Sequence, residues 1–330
     1  MPRTFGRNAG QDPIAHMGEF DRIARYLAPL AGPEGLCLAD DAALHTPPPG
    51  FDFVMTKDML AEGVHVPTGC VPDIFARRAL RSNLSDLAAM GAKPLGYLLG
   101  LSLPPHLDDI WLQAFCNALG ADQLRYGLSL WGGDSICVDG PITVSITALG
   151  LVPAGTALRR DGAQPGDDVF VSGFIGQAAA GLHLLNEDAE EDACGWHTAY
   201  VAPEPRISLG DALRGRATAA IDVSDGLVAD VGHIATASKV SIALALNDMP
   251  VHPQNPLGIE DAITAGDDYE LAFTAPPEKR SEIFTLSESL GLRLTKIGQV
   301  RAAAAGQEPC TVLDTLGNAV AFKKTGWQHG

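Results

Sequence analysis

PITVSITALGLVPAGTALRRDGAQPGDDVFVSG, residues 141–173, decides the fold. In its first part Ile142, Val144, Ile146 and Ala148 alternate with Thr143, Ser145 and Thr147, the period of a half-buried strand. Its middle part, 152–168, is dense in Gly, Pro and charge and reads as a linker. The last part, 169–172, is a short strand. A linker placed there divides the 330 residues into two halves, each within the roughly 100–200 residues of one domain.

Working outward, both halves alternate strands and helices. On the N-terminal side a short amphipathic helix begins near Gly18, with Phe20, Ile23, Ala24 and Leu27 at helical spacing. Phe51 to Thr56 is rich in strand formers, and the run KDMLAEGVH follows. A helix is predicted over 73–90, stopped by Gly91, then a buried strand over 97–103 and a helix over 109–126. A short strand from Leu128 to Trp131 ends in the turn-like Gly132-Gly133-Asp134. On the C-terminal side helices are predicted over 175–185, 206–213, 224–237 and 278–290. Strands there are expected at 169–172, ending in Ile221-Asp222, at 240–246, at 269–274 and in a closing pair. This alternation makes an α/β (α+β) protein of two α/β domains. The boundaries are 1–16 for a flexible polar arm, 17–151, the linker 152–168, and 169–330. The acidic loop NEDAEED, 186–192, reads as a solvated surface segment.

Composition limits what such a chain does. Forty acidic against 23 basic residues give −17, which argues against binding nucleic acid or acidic membranes, so phosphates would have to be held with recruited cations. No apolar run approaches the ~18 residues of a membrane span, and the opening segment carries no secretory apolar core. Six scattered cysteines without a C-x-x-C pair are expected to be free thiols in a reducing cytoplasm. The chain also lacks G-x-x-x-x-G-K-[ST], G-x-G-x-x-G, H-E-x-x-H and G-x-S-x-G, so Walker-type kinases, dinucleotide enzymes, zincins and triad hydrolases fit poorly.

Aspartates recur instead at turns and at the ends of predicted strands: Asp40-Asp41, Asp58, Asp86, Asp134, Asp222, Asp225 and Asp267-Asp268. Hard oxygen donors of this kind suit Mg²⁺, which binds through one or two carboxylates plus substrate phosphates. Each fragment alone has a plainer reading. Ser224 or Asp225 would cap the following helix, Asp86 would share a solvated helix face with Asn83, and Gly-Gly-Asp would be a tight turn.

The order and wording of the fragments carry more. DMLAEGVH (58–65), NLSDLAAMGAKP (83–94), GGDS (132–135), DVSDGL (222–227) and GDDYEL (266–271) together resemble the bacterial thiamine-monophosphate kinase family. Its superfamily includes aminoimidazole ribonucleotide synthetase and selenophosphate synthetase. The resemblance runs from Gly18 to Trp327. It implies an N-terminal domain with a mixed sheet used for homodimerisation and a C-terminal α/β sandwich domain that completes the active site. It also implies ATP and thiamine monophosphate as substrates, thiamine diphosphate as product, several Mg²⁺ ions, and a cytoplasmic enzyme. By matching positions, the metal ligands are Asp41, Thr56, Asp58, Asp86, Asp134, Asp222 and Asp225, with the catalytic weight on Asp86, Asp134 and Asp222. Gly133, Asp134, Arg160 and Ser224 match nucleotide contacts; His65, Asp267 and Trp327 match the thiamine-phosphate side.

Three departures stand out. Ala39 occupies a usual Gly position, where the family backbone has access to positive φ. Lys57 replaces a Thr or other small residue that helps hold one metal, harmlessly if through its carbonyl but not if through a hydroxyl; strand alternation, which turns Lys57 away from Thr56 and Asp58, favours the carbonyl. Asp267 replaces Glu, one methylene shorter. Two other readings stay open: another ATP-dependent enzyme of the superfamily, such as an aminoimidazole ribonucleotide synthetase, and a non-catalytic nucleotide- or metal-binding relative. A selenophosphate synthetase fits less well, since the earliest thiol, Cys37, sits in an apolar run.

Overall fold

The predicted strand around residue 146 forms as read, because its alternation matches what lies on either side of it. In a computed structural model, Val144, Ile146 and Ala148 are fully buried while Thr143, Ser145 and Thr147 are half-buried. The structure describes residues 18–187, 192, 194–304, 306 and 308–327, so the arm 1–16 and the centre of the acidic loop lie outside the described residues.

In chain order the elements are α1 (Glu19–Arg22), β1 (Phe51–Ala61), α2 (Pro72–Ala89), β2 (Lys93–Leu103), α3 (Asp109–Tyr126), β3 (Ser129–Cys137) and β4 (Thr143–Pro153). Then come β5 (Asp168–Ser172), α4 (Gln177–Asn186), α5 (Trp196–Val201), α6 (Ile207–Leu213), β6 (Ala219–Asp222), α7 (Leu227–Ser238) and β7 (Val240–Ala245). The chain closes with α8 (Ile259–Thr264), β8 (Leu271–Ala275), α9 (Arg280–Leu290), β9 (Leu294–Ala302) and β10 (Cys310–Leu313). Two compact units interleave along the sequence. One comprises Met1–Pro47, Lys57–Leu80 and Pro94–Leu149; the other comprises Pro48–Thr56, Arg81–Lys93 and Gly150–Gly330.

A four-stranded sheet has the order β1-β4-β2-β3, with β2 and β3 parallel. α3 begins where Asp108 accepts from the Trp111 N–H at 2.8 Å and ends at Gly127 with φ 70°, a capped start and a left-handed stop. Phe75 of α2 meets Trp111 of α3 edge-on, at 6.4 Å between ring centroids. The expected turn at Gly132-Gly133-Asp134 is corrected: β3 runs straight through it. Glycine is needed there for packing, since a Cβ on Gly133 would lie 1.9 Å from the Leu99 carbonyl oxygen, near a register shift that leaves Trp131 of β3 without a partner in β2.

A six-stranded mixed sheet has the order β10-β7-β9-β5-β8-β6. β5 is buried at every position because both of its faces are covered. Val169 and Val171 join a core with Leu227, Val231 and Ile234 of α7. Phe170 joins a second core with Leu209 and Leu213 of α6, Phe273 of β8 and Ile283 of α9. Helices therefore flank this sheet on both faces, the two-layered burial of an α/β domain. All six cysteines are free thiols, and Cys116 is a core residue. Among the described residues no helix is long and apolar enough to cross a membrane.

Candidate active site

The second unit gathers one group of predicted site residues around the end of β6. Asp222, only 3% exposed, is the last residue of that strand. Beyond it the chain stays paired with the segment leading into β8. The Val223 N–H donates to the Glu270 carbonyl, the Tyr269 N–H to Val223, and the Asp267 N–H to Ser224, each at 2.8 Å. The Trp327 N–H donates to the Asp225 carbonyl at 2.9 Å. Ser224, Asp225, Asp267 and Trp327 are therefore neighbours through their main chains. The approach is close enough that a Cβ on Gly266 would lie 2.3 Å from the Ser224 carbonyl oxygen. Gly226 has φ 127°, a conformation side chains oppose.

The same unit brings in the second half of α2. The Ser85 hydroxyl donates to Asp222 Oδ2 at 2.8 Å, and the Thr56 hydroxyl donates to Asp86 Oδ2 at 2.5 Å. Asp86 follows Ser85 in the helix, so the Asp86 and Asp222 carboxylates are each held by a hydroxyl of this unit. The plainer reading of this helix face as solvated is corrected: Ser82, Asn83 and Ser85 are buried. Such a set of carboxylate and hydroxyl oxygens fits a hard divalent cation.

The capping reading of Ser224 and Asp225 is also corrected. α7 begins at Leu227, after Gly226, without a side-chain cap. Asp230, inside its first turn and 2% exposed, reaches back instead: its Oδ2 accepts from the N–H groups of Ser224, Asp225 and Gly226 at 3.0, 3.1 and 3.1 Å. Burial first, then the Asp225 charge, pushes the Asp230 carboxyl up to about 7 against the pull of those N–H groups. Asp225, Asp230 and His233 each place one donor atom within 4.8 Å of the others.

The GDDYEL segment is held from behind. Glu270, 3% exposed, takes both arms of the Arg206 guanidinium and a hydrogen bond from the Ser172 hydroxyl. Asp267 and Tyr269 adopt left-handed backbones with φ 72° and 52°, and the Tyr269 hydroxyl donates to Asp267 Oδ1 at 3.2 Å. Non-glycine residues persist there only because the surrounding bonds enforce it. Asp268 accepts from the N–H groups of Gly176 and Ala178 at the start of α4. Burial, followed in smaller measure by the Glu270 and Asp267 charges, pushes its carboxyl up to about 8. Because its pKa is raised in the folded protein, the stability tied to Asp268 is full below the ordinary carboxylate pKa and falls as pH rises toward 8. Asp268→Asn is therefore expected to gain melting temperature relative to the parent between about pH 5 and pH 8. A constant difference across that range would show that Asp268 titrates no differently in the folded and unfolded protein there.

In the first unit, the β1 burial pattern places Asp58 and Leu60 on the less exposed side and Lys57 and Met59 on the exposed one. Asp134 is exposed on β3, with Oδ1 accepting from the Ser135 N–H at 2.8 Å. His65 lies in the turn after β1, where Nδ1 accepts from the Ala61 N–H at 3.0 Å. When the ring is neutral, this fixes its proton on Nε2. Asp41 is exposed, its N–H donating to Asp40 Oδ1. Ala39 has φ −103°, so no glycine is required; the left-handed residues are Leu36, Cys37 and Leu38 instead.

Arg160 belongs to the second unit but stands apart from Ser224. Its carbonyl accepts from Ser238 Oγ at 2.8 Å, at the C-terminal end of α7. That helix runs about 18 Å from its start. Asp230, Ser85, Arg206 and Glu270 were not singled out in the sequence, although Ser85 and Glu270 lie inside the quoted motifs.

Comparison with known proteins adds an independent line. Residues 39–152 match the family described as AIR synthase related protein, N-terminal domain, and residues 164–308 match its C-terminal domain. The thiamine-monophosphate kinase of Caulobacter vibrioides is 39% identical over 94% of this chain and 91% of its own. The crystal structure of thiamine-monophosphate kinase from Stenotrophomonas maltophilia is 39% identical, with TM-score 0.78 over 86% of this chain and 91% of that one. A structure of AaThiL complexed with AMPPCP and TMP is 29% identical, with TM-score 0.75 over 99% and 100% of the two chains.

Proposed function

Since the chain belongs to the thiamine-monophosphate kinase family of AIR synthase related proteins, we propose that it is a kinase that transfers the γ-phosphoryl group of ATP to thiamine monophosphate, giving thiamine diphosphate. The observation that carries this reading is full-length similarity to a protein solved with AMPPCP, an ATP analogue, and TMP. It is supported by the seating of Ser224, Asp225, Asp267 and Trp327 on one set of main-chain hydrogen bonds.

The acceptor is a phosphate oxygen that is already anionic, so the reaction needs no general base. Catalysis then rests on positioning and on neutralising charge between two phosphorylated substrates. The oxygens of Asp41, Thr56, Asp58, Asp86, Asp134, Asp222 and Asp225 are the proposed Mg²⁺ ligands. Bound there, the ions would supply the positive charge that the −17 chain lacks. Gly133, Asp134, Arg160 and Ser224 are assigned to the nucleotide. His65, whose Nε2 carries the donor proton in the neutral ring, joins Asp267 and Trp327 on the acceptor side. Transfer is direct and in line, with Asp86, Asp134 and Asp222 carrying most of the catalytic effect. We place the enzyme in the cytoplasm as a homodimer joined through first-unit strands, a reading supported by exposed Met59, Leu98 and Ile136 on those strands.

Exhaustive chelation tests the metal part of this reading. Turnover is expected to vanish and to return with Mg²⁺; full activity in chelator would overturn it. Lys57 is the sharper probe. On the exposed side of β1 it lies away from Thr56 and Asp58, so Lys57→Thr is expected to leave the required Mg²⁺ concentration unchanged within about twofold. A clear rise would mean that its ammonium substitutes for one cation.

A further inference from the structure

The main chain of residues 224–226 is fully accounted for, and one side chain does most of that work. The three N–H groups of Ser224, Asp225 and Gly226 all donate to Asp230 Oδ2, and the Gly226 carbonyl accepts from the Asp230 N–H at 3.0 Å. The two remaining carbonyls, of Ser224 and Asp225, accept from Asp267 and Trp327. Buried backbone groups need such partners. Here they come from one aspartate on one side and from the proposed acceptor-binding residues on the other.

We infer that Asp230 is a positioning residue: it folds the Ser224-Asp225-Gly226 loop around its carboxylate so that the Ser224 and Asp225 side chains face nucleotide and metal while their main chain stays joined to Asp267 and Trp327. The inference rests on the proposed kinase reading for what those side chains hold, but not for the loop geometry. One oxygen accepting three N–H groups in a site that is 2% exposed is committed to the loop. Ligation of a cation through Oδ2 would compete with those bonds.

Two full-length variants separate the roles. Asp230→Ala removes the acceptor, whereas Asp230→Asn keeps one amide oxygen where Oδ2 stands. Hydrogen exchange at the amides of 224–226, measured without nucleotide or metal, is expected to accelerate at least about tenfold in the Ala variant and within about threefold in the Asn variant. In MgCl₂ titrations of thiamine-monophosphate-dependent ATP turnover, the Ala variant should need about tenfold more Mg²⁺, and the Asn variant should recover most of the parent's response. Should the Ala variant not fold, a rise of up to about threefold in the Asn variant, at the amides of 224–226 and nowhere else, still supports the assignment. Parental exchange at those amides in the Ala variant would overturn it. So would an Asn variant with parental exchange but abolished turnover, which would make Asp230 a direct ligand. A parent protein inactive on thiamine monophosphate would overturn the kinase reading and leave the exchange result standing.

Discussion

Asp222→Asn is expected to lower turnover about 10²- to 10³-fold, the scale on which loss of one well-placed electrostatic group acts, while the melting temperature stays within about 2 °C of the parent. Asp222 ends a fully buried strand and accepts from the Ser85 hydroxyl. The Asn oxygen retains that bond and nearly the same volume, so the fold keeps what it needs. What disappears is the negative charge proposed to bind a cation. Asp86→Asn should behave alike, because the amide oxygen still accepts from Thr56. A large fall in melting temperature with modest loss of activity would make these aspartates structural.

Arg206→Met is expected to have the larger effect on stability. Glu270 is buried and receives both arms of the Arg206 guanidinium. Removing that partner leaves a carboxylate out of water with the Ser172 hydroxyl still bonded to it. Breaking a buried pair in this way costs about 3–5 kcal/mol, or roughly 6–20 °C of melting temperature for a domain of this size. The loss reaches the site, since the Glu270 carbonyl holds Val223. Adding Glu270→Gln to the Met variant should recover part of the stability, as the uncompensated charge is then gone. Unchanged stability in the single variant would mean that solvent reaches Glu270 readily.

Periodicity made most of the fold legible. The helix over 109–126 has its bounds where the sequence puts them, because a capping Asp108 and a stopping Gly127 flank it. The alternation of 142–148 carried over for the same local reasons. The misses are tertiary. Gly132-Gly133 reads as a turn from its neighbours alone, yet Gly133 is required by the Leu99 carbonyl of an adjacent strand. The start of α7 was placed three residues early because Ser224-Asp225 resembles a cap, whereas Asp230 takes that role from inside the helix.

The proposed site divides in the same way. The residues proposed to face ligands come from motif wording, as in DVSDGL and GDDYEL. The residues that hold them were not legible in this way. Arg206 meets Glu270 across 64 positions, and Asp230 acts on backbone N–H groups, which no side-chain pattern reports.

The most direct measurement follows both products of a reaction containing the full chain, ATP, Mg²⁺ and thiamine monophosphate. ADP and thiamine diphosphate are expected in equal amounts, with no ADP formed when thiamine monophosphate is omitted. ATP consumption that ignores thiamine monophosphate, or no thiamine diphosphate at all, would contradict the kinase reading.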